Sequence, residues 1–404
     1  MGDLISLQEA QRLVLEHVRR TELERVPIER AFGRVLAEPA VAVCDLPPFP
    51  SSAMDGYALR SADTATAPAS LALRGQIAAG SPATRPLGAG EAMSIATGGV
   101  VPEGADAVVP LEVAREHDGR VEIGEAVLAG TNVRDRGGDV QAGAAVLGPG
   151  ARLGAGQVAA LAAAGLSEVR CAKRPRVGIL VTGSELRPPG ERLEPGQIYE
   201  SNGLMLAAQL ASAGAVPAQL GVVADDVDEH RRAMERALLG FDMLVTSGGA
   251  SVGPHDLTRR IQAELRVEEV FWGVAIKPGK PVALGDRRGH LVFNLPGNPV
   301  STLVCFELLV RPAVNAALGM PEPIPRYERG RLATAVRRNP RRDEFVRSRT
   351  RTSHDDHVVL EPVAGQDSHM IVAAAQADAL AYVPSGDGEL AAGTEVRYLS
   401  LTPG

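Results

Sequence analysis

One stretch of the sequence decides the fold: Leu291-Val292-Phe293-Asn294-Leu295-Pro296-Gly297-Asn298-Pro299-Val300-Ser301. An apolar run, typical of a strand, ends at Pro296-Gly297. Asn298 stands where a residue caps a helix, and Pro299 suits the first helical turn. The pattern predicts a buried, largely apolar helix from Val300 to Leu318. A strand that passes into a capped helix leaves backbone N–H groups free at the helix start, and these groups favour an anion.

Two motifs upstream indicate the same chemistry. Lys277-Pro278-Gly279-Lys280-Pro281 places two lysines on a stiff turn, where they can converge on one anion. Ser247-Gly248-Gly249-Ala250-Ser251 carries a glycine pair that lets the backbone approach a ligand and form a nest of amide groups. Taken singly, each motif has a plain alternative: two solvated lysines, or an ordinary strand-to-loop turn. Together with Pro296-Gly297-Asn298, they predict a site for phosphate or another oxyanion.

The composition is that of a globular protein with several domains. With 404 residues and roughly one domain per 150, the chain has room for about two to four domains. The net charge is −7 and no basic stripe is present, so we expect no nucleic-acid partner. Cys44, Cys171 and Cys305 fit no zinc spacing and are expected to be free thiols in a reducing compartment. We find no signal-peptide pattern and expect no run of membrane-span length, so the predicted location is the cytoplasm.

From Arg176 onward the sequence alternates between strand and helix patterns. This alternation predicts a doubly wound α/β domain with a mostly parallel sheet. Ligands of such sheets bind beyond the carboxyl ends of the strands. Four polar or glycine-rich segments fall at those ends: Thr182-Gly183-Ser184-Glu185, Asp225-Asp226, Ser247-Gly248-Gly249 and Pro296-Gly297-Asn298.

Other parts of the chain predict further domains around this one. A capping box at Ser6 and Glu9 starts an amphipathic helix, which we expect to pack on a second helix at 155–164. Short strand patterns broken by Gly, Pro and Asp predict a β-rich insertion, and similar patterns follow Pro321. The predicted bounds are 1–44 with 141–173 for a discontinuous helix-containing domain, 45–140 for the β-rich insertion domain, 174–320 for the α/β anion-binding domain and 321–404 for a small C-terminal β domain.

Several carboxylates near predicted strand ends are candidates for a metal site. Hard oxygen ligands near a phosphate site suit Mg²⁺, which takes one or two carboxylates together with phosphate and water. Asp225, Asp226 and Asp256 all precede helices, so capping of the helix start is an equally good interpretation of each. Glu185 lies in a loop with no helix to cap and is the better candidate. A further acidic turn, Asp55-Gly56, opens the β-rich region and is interpreted as a functional loop, with a plain hairpin as the alternative.

Six motifs, in order along the chain, resemble those of the molybdopterin molybdenumtransferase family. This is the MoeA family, which includes the gephyrin E domain. The resemblance covers essentially the whole chain and the order of its domains. The motifs are Ser52-Ala53-Met54-Asp55-Gly56-Tyr57-Ala58, Ala96-Thr97-Gly98-Gly99, Val181-Thr182-Gly183-Ser184-Glu185-Leu186, Ser247-Gly248-Gly249-Ala250-Ser251-Val252-Gly253, Ala275-Ile276-Lys277-Pro278-Gly279-Lys280-Pro281 and Leu295-Pro296-Gly297-Asn298-Pro299-Val300-Ser301.

The resemblance implies an elongated homodimer of four-domain subunits. It implies that molybdate is inserted into adenylated molybdopterin, which gives molybdenum cofactor and AMP, with a divalent cation such as Mg²⁺. The upstream adenylyltransferase and downstream molybdoenzyme chaperones are further candidate partners. The cleft is expected to be shared, with the β-rich domain of one subunit facing the α/β domain of its partner.

The matched motifs also imply residue roles. Asp55, Thr97, Glu185, Asp225 and Asp256 are the implied catalytic polar residues, and Glu185, Asp225 and Asp256 are also the implied metal ligands. Ser368 and an arginine, either Arg342 or Arg347, would reach in from the last domain. The full set of implied molybdate or phosphate ligands is Ser247, Gly248, Gly249, Ser251, Lys277, Lys280, Pro296, Gly297, Asn298, Pro299, Ser301, Arg347 and Ser368.

The chain departs from the family pattern at two positions. Gly273 follows Trp272, where several relatives carry a basic residue that would contact a pterin phosphate. His255 stands where a small or acidic residue is expected; it and His369 lack metal-like spacing, so we expect surface or structural roles. Two alternative functions stay open: the adenylyltransferase of the preceding step, against which the full length argues, and a non-enzymatic scaffold. The sequence does not choose between molybdate and tungstate.

Overall fold

The computed structural model describes residues 4–224, 226–248 and 257–401, which form helices, three six-stranded sheets and several short strand pairs. The α-helices among these residues are Leu7–His17, Ala155–Ala163, Asn202–Ala213, Val227–Gly240, Leu257–Glu264, Pro299–Cys305, Arg311–Ala317 and Ile371–Ala374. Two-stranded pairs join Leu23–Pro27 to Glu168–Ala172, Ala40–Val41 to Ala145–Leu147, Ser51–Ser52 to Val133–Arg134, Leu186–Arg187 to Ile198–Tyr199 and Val336–Arg337 to Glu389–Leu390.

The central sheet is the predicted, mostly parallel one. It contains one strand that was not predicted from the sequence, Ala283–Arg287, which pairs antiparallel with both of its neighbours. A two-residue turn at Arg288-Gly289, with positive φ at both residues, joins this strand to the next, so no longer loop separates the two strands in the sequence. In order across the sheet, the strands are Val216–Val223, Arg176–Thr182, Met243–Ser247, His290–Leu295, Ala283–Arg287 and Glu268–Trp272.

Helices cover both faces of this sheet, and the residues of Arg176–Thr182 show why. All but the first residue of this strand are buried, as expected for a central parallel strand. Ile179 belongs to the apolar cluster that contains Leu206 and Leu210 of the helix Asn202–Ala213. The next residue, Leu180, points to the other face and packs in a separate cluster with residues of Val227–Gly240. The residues of this continuous apolar run therefore pack into two separate cores, one on each face of the sheet.

The predicted final helix is a continuous helical run over 299–317, which we call the Pro299 helix. It consists of Pro299–Cys305, a π-helical turn at Phe306–Val310 and Arg311–Ala317. The expectation that no run has membrane-span length was wrong, because this run is long and apolar enough by composition. However, 78% of its apolar window is buried inside the protein, which is typical of a core helix.

The first helix does not pack where the sequence predicted. Leu7–His17 buries its apolar face in the same cluster as the Pro299 helix, whereas Ala155–Ala163 contributes to a different core. The amide of Gln11 donates to the carbonyl of Leu308, a residue of the π-helical turn, at 3.0 Å. The expected packing was therefore wrong, because the Pro299 helix is apolar on the side that the sheet leaves uncovered. The two segments of the predicted discontinuous domain, 1–44 and 141–173, still contact each other, because the strand Leu23–Pro27 pairs with Glu168–Ala172.

The capping box at the start of this helix forms only in part. The Ser6 hydroxyl accepts a hydrogen bond from the Glu9 N–H at 3.1 Å, as predicted. The Glu9 carboxylate, however, pairs with Arg12 at 2.7 Å, on the exposed side of the helix. Glu9 thus forms an ion pair with Arg12, one helical turn away, instead of accepting the reciprocal hydrogen bond from the Ser6 N–H.

The β-rich insertion contains a mixed six-stranded sheet with a core on each face. Tyr57 packs in one apolar cluster and its neighbour Ala58 in another, so the strand alternation is used on both sides. The short strands predicted for this insertion are confirmed. In order, the strands are Ala107–Pro110, Gly56–Leu59, Glu91–Ile95, Ala69–Ile77, Arg120–Ile123 and Ala114–His117.

The C-terminal β region closes into a small barrel and takes in one strand from elsewhere. The barrel closes because Asp343–Thr352 pairs with both Val358–Pro362 and Ala379–Val383. Ile276–Lys277, which belongs to the lysine turn, pairs in parallel with the start of Asp343–Thr352. The order of the sheet is Ile276–Lys277, Asp343–Thr352, Val358–Pro362, Glu328–Leu332, Glu395–Ser400 and Ala379–Val383.

Candidate functional site

A cleft of 640 Å³ opens at the carboxyl edge of the parallel strands. The predicted site residues that line it are Glu185, Ser247, Gly248, Pro296, Gly297, Asn298 and Pro299. His369, expected to have a surface or structural role, also lines the cleft. A larger cleft of 890 Å³ lies elsewhere, against the helix Asn202–Ala213 and the barrel, and contains none of the predicted residues that the structure describes. We therefore take the cleft of 640 Å³, hereafter the strand-end cleft, as the functional site.

The start of the Pro299 helix is tied to a loop of the barrel. Asn298 occupies the cap position, but its side chain does not bond to the helix backbone. Its Nδ2 donates instead to the Ser368 hydroxyl at 2.9 Å, and the Val300 N–H donates to the Ser368 carbonyl at 3.1 Å. The prediction of side-chain capping was therefore wrong. The Val300 N–H expected to face an anion is already used by the Ser368 loop.

Buried hydrogen bonds hold two neighbouring strand ends in register beneath the cleft. Asn202 donates from Nδ2 to the Ser247 hydroxyl at 2.9 Å and to the Gly297 carbonyl at 2.8 Å. The Ser247 hydroxyl in turn donates to the Pro296 carbonyl at 3.2 Å. Gly248 has φ +91°, and a Cβ there would overlap the Thr182 carbonyl. Only glycine therefore allows the backbones at Gly248 and Thr182 to approach this closely. Gly249, Ser251, Asp225, Asp256 and His255 lie outside the described residues.

The lysine turn is held by the barrel. The Lys277 Nζ lies 2.8 Å from Oε1 of Glu344, which the parallel strand pairing brings alongside. The Lys277 side chain remains 43% exposed, so its ammonium group is still accessible to solvent. Lys280 is half-buried, and Pro281 of the same turn lines the cleft. The structure thus shows that a carboxylate already neutralises one of the two lysines predicted to converge on an anion.

Arg347, rather than Arg342, contacts the Ser368 loop. It is 1% exposed, and its Nη2 donates to the carbonyls of Gly365 at 2.8 Å and Asp367 at 3.3 Å. Its Nε and Nη1 are buried and have no hydrogen-bond partner within the part of the chain that the structure describes. Burial lowers the pKa of Arg347, although Asp367 and Glu344 oppose this effect. Two unused donors on a buried guanidinium are suited to an anionic ligand.

Glu185 is the one predicted metal ligand that the structure describes. It is exposed at the cleft, and a Cβ on Gly183 would come within 2.6 Å of its Oε2, so its carboxylate lies over this glycine. Asp226 caps the helix Val227–Gly240, because its side chain accepts from the Glu229 N–H at 2.8 Å. Among the described residues, no group of three or more His, Cys, Asp or Glu side chains could hold a metal ion.

Asp55 and Thr97 come together, but away from the strand-end cleft of the same chain. Oδ1 of Asp55 accepts from the Thr97 N–H at 2.7 Å and from the Thr97 hydroxyl at 3.0 Å. These two bonds, the backbone one first, hold the pKa of the Asp55 carboxyl below its usual value. Both residues are in the β-rich insertion, and neither lines the strand-end cleft. Ser301, in the first turn of the Pro299 helix, is buried.

Three residues that shape the site were not predicted. Glu200 and Asn202 line the cleft at the start of the helix Asn202–Ala213. A sequence signal for Glu200 and Asn202 does exist, namely the helical pattern that begins at Asn202. This helix comes after the Glu185 loop, so its first residues lie at the same edge of the sheet as Glu185. Glu344 has no such signal, because the pairing of Ile276–Lys277 with the barrel cannot be read from a local pattern. Gly273 has φ +95° and faces Leu4, which accounts for a glycine after Trp272.

Three family models match the chain in succession. The first is described as the MoeA N-terminal region (domain I and II) and matches residues 5–165. The second is a probable molybdopterin binding domain and matches residues 178–316. The third is the MoeA C-terminal region (domain IV) and matches residues 329–401.

Full-length relatives and solved structures agree with these matches. The chain is 38% identical to Molybdopterin molybdenumtransferase 2 of Mycobacterium tuberculosis, over 98% of this chain and 100% of the relative. It is 34% identical to Molybdopterin molybdenumtransferase of Bacillus subtilis, over 98% of this chain and 94% of that protein. A molybdopterin biosynthesis MoeA structure from Pyrococcus horikoshii superposes with a TM-score of 0.85 at 29% identity, covering 98% of this chain and 100% of that chain. With its cleft, its barrel loop and these full-length matches, the chain belongs to the molybdopterin molybdenumtransferase (MoeA) family.

Proposed function

We propose that this protein inserts molybdate into adenylated molybdopterin and releases molybdenum cofactor and AMP. The observation that carries the proposal is the junction of Asn298 with Ser368, where a barrel loop is hydrogen-bonded to a residue that lines the strand-end cleft. Family membership supplies the reaction class, and the junction holds the loop next to Arg347 at the start of the Pro299 helix. A cleft at the carboxyl ends of parallel strands is the usual ligand position in this type of sheet.

The oxyanion would be held by cations from both sides of this junction. Lys277 and Lys280 come from the lysine turn, and Arg347 comes from the barrel with two unused donors. Molybdate is a tetrahedral dianion, which suits charge-assisted bonds from several directions. Lys277 would exchange its bond to Glu344 for a bond to the oxyanion. Because molybdate carries no proton at neutral pH, one of its oxygens would attack the phosphoanhydride phosphorus without a general base from the chain, so that an Mo–O–P bond forms as the P–O bond to the departing AMP breaks.

A magnesium ion is part of this proposal. Mg²⁺ needs only one or two protein carboxylates when substrate phosphates and water complete its shell. Glu185, exposed at the cleft, fits that requirement, and Asp225 and Asp256 are the other proposed ligands. When bound, the ion would neutralise charge on the phosphoanhydride. Glu185→Gln should reduce AMP release sharply without loss of folding, whereas Glu191→Gln, an exposed control outside the cleft, should not.

The proposal includes a cytoplasmic homodimer with shared clefts. Asp55 and Thr97 do not line the strand-end cleft of their own chain, so a partner's cleft would give them a ligand. The proposed domains are those expected from the sequence, at 1–44 with 141–173, 45–140, 174–320 and 321–404. Separate apolar clusters within the β-rich insertion and within the barrel support two of these divisions.

The test is to incubate the protein with adenylated molybdopterin, Mg²⁺ and either molybdate or tungstate, and to measure AMP by chromatography. We expect AMP release that depends on the oxyanion. Consumption of ATP with molybdopterin would indicate the adenylyltransferase instead. Neither reaction would indicate a scaffold. Comparing the two oxyanions also establishes which metal the site prefers.

A further inference from the structure

The floor of the strand-end cleft carries polar oxygens that have no hydrogen-bond partner among the described residues. Thr182, Glu200 and Asn202 all line the cleft, although they are only 6%, 8% and 8% exposed. Oγ1 of Thr182 and Oδ1 of Asn202 are buried and have no hydrogen-bond partner in the described part of the chain. Buried polar atoms are nearly always paired in native proteins, so we expect these two to bind a partner other than the described residues.

The orientation of Asn202 follows from its own hydrogen bonds. Its Nδ2 donates to the Ser247 hydroxyl at 2.9 Å and to the Gly297 carbonyl at 2.8 Å. A carbonyl can only accept, so the amide nitrogen must face Gly297, and Oδ1 must be the free end. The free end of Asn202 is therefore an acceptor held in a fixed position.

Glu200 is anchored through one carboxylate oxygen. Its Oε1 accepts from the Gly203 N–H, in the first turn of the helix Asn202–Ala213, at 2.7 Å. Its Oε2 lies over Gly203, where an added Cβ would come within 3.0 Å. The helix start thus binds a carboxylate of the chain itself, and no hydrogen bond joins the second oxygen to the part of the chain that the structure describes.

We propose that Thr182, Glu200 and Asn202 form a subsite that positions the organic part of the substrate by accepting hydrogen bonds from a pair of adjacent donors. This proposal rests on the proposed function. Adenylated molybdopterin offers two such pairs: the N–H and NH₂ groups of its aminopyrimidinone edge, and the ribose diol. An acceptor-rich floor repels phosphate and molybdate, so this subsite is chemically distinct from the lysine and arginine site.

The test uses Glu200→Gln and Thr182→Val, which keep side-chain volume but remove acceptors. Glu191→Gln is the matched surface control, and Thr182→Ser restores the hydroxyl. Calorimetry measures the Kd for AMP and for 6-hydroxymethylpterin, and turnover gives the KM for adenylated molybdopterin and for molybdate. Thermal unfolding checks that each variant folds.

For Glu200→Gln we expect binding of one probe to weaken about tenfold or more, since a bond to a charged acceptor is lost. For Thr182→Val we expect about a threefold to tenfold loss, with recovery in Thr182→Ser. The KM for adenylated molybdopterin should rise while the KM for molybdate stays unchanged. A loss confined to AMP assigns the subsite to the ribose diol, and a loss confined to the pterin assigns it to the ring edge.

Two results would overturn the subsite. One is binding of both probes within twofold of wild type in folded Glu200→Gln and Thr182→Val. The other is an increased Mg²⁺ requirement with unchanged binding of both probes, which would make these oxygens metal ligands. If wild type releases no AMP in turnover, the proposed function fails, but the two calorimetric measurements still decide the subsite.

Discussion

Lys277 is a proposed oxyanion ligand whose ammonium group already forms an ion pair within the chain. Its bond to Glu344 neutralises the ammonium group when no anion is bound. An ion pair with one partly exposed partner is weak, so an incoming dianion can displace it at small cost.

Removing this competitor should strengthen oxyanion binding. In Glu344→Gln, Lys277 loses its charged partner, and we expect the KM for molybdate to fall by up to about fivefold, since such pairs are worth about 0.2–1 kcal/mol. Lys277→Ala should raise the same KM. Glu361→Gln, which removes the partner of Arg351 on the same barrel, is the control and should leave it unchanged. A higher KM in Glu344→Gln would show that Glu344 positions the lysine and does not compete for it.

The contact between Thr97 and Asp55 makes a prediction about pH. Thr97→Val removes the hydroxyl donor but keeps the backbone donor, so the pKa of Asp55 should rise toward its ordinary value of about 3.9 while staying below it. A lowered native pKa stabilises the fold above the unfolded pKa, and this contribution is lost as pH falls through the native pKa. Wild type and variant should therefore differ in melting temperature at neutral pH and converge in acid. NMR titration of Asp55 measures the shift directly, and an unchanged pKa would contradict it.

At the scale of elements, the start of the Pro299 helix and the Ser368 loop form one unit. Two bonds join them: Asn298 to the Ser368 hydroxyl, and the Val300 N–H to the Ser368 carbonyl. The backbone bond survives any side-chain substitution, so the loop should stay docked when the side-chain bond is removed. Asn298 therefore orients the hydroxyl, while the backbone fixes the position of the loop.

A double-mutant cycle tests this division. Asn298→Ala and Ser368→Ala should each lower molybdate-dependent turnover by about twofold to tenfold, the usual range for one neutral hydrogen bond. The double variant should be no worse than the poorer single variant, because both changes remove the same bond. Melting temperatures should stay close to wild type. Fully additive losses would mean that the two side chains act separately.

Sequence patterns predicted the elements well and the contacts between units poorly. The strands and helices predicted to alternate from Arg176 onward are present, among them the strand Met243–Ser247 and the helix Asn202–Ala213, because buried apolar runs and helical periodicity are local signals. The position of the first helix and the pairing of Ile276–Lys277 with the barrel were not predicted. Both depend on which apolar face or strand edge is left uncovered elsewhere in the molecule. The lysines were predicted from their turn, but their partner Glu344 was not.

At the scale of the whole molecule, the separation of Asp55 from the strand-end cleft leads to a test with two defective chains. Asp55→Ala should be inactive alone, and Lys277→Ala alone should turn over very little at low molybdate concentration. If clefts are shared between subunits, a mixed dimer has one cleft with both residues intact and one with both replaced. Co-expression with two different tags should then restore about half of wild-type turnover per mixed dimer. Mixed dimers that form but stay inactive would place both residues in the cleft of a single subunit.

The pairing of Ile276–Lys277 with Asp343 and Glu344 also has a consequence for how the protein is made. On the ribosome, the parallel sheet emerges before the barrel, and domains generally fold in the order of their synthesis. The lysine turn therefore has no neighbouring strand to pair with until translation has passed Glu344. A nascent chain should acquire its folded sheet first and the finished geometry of the proposed oxyanion site last.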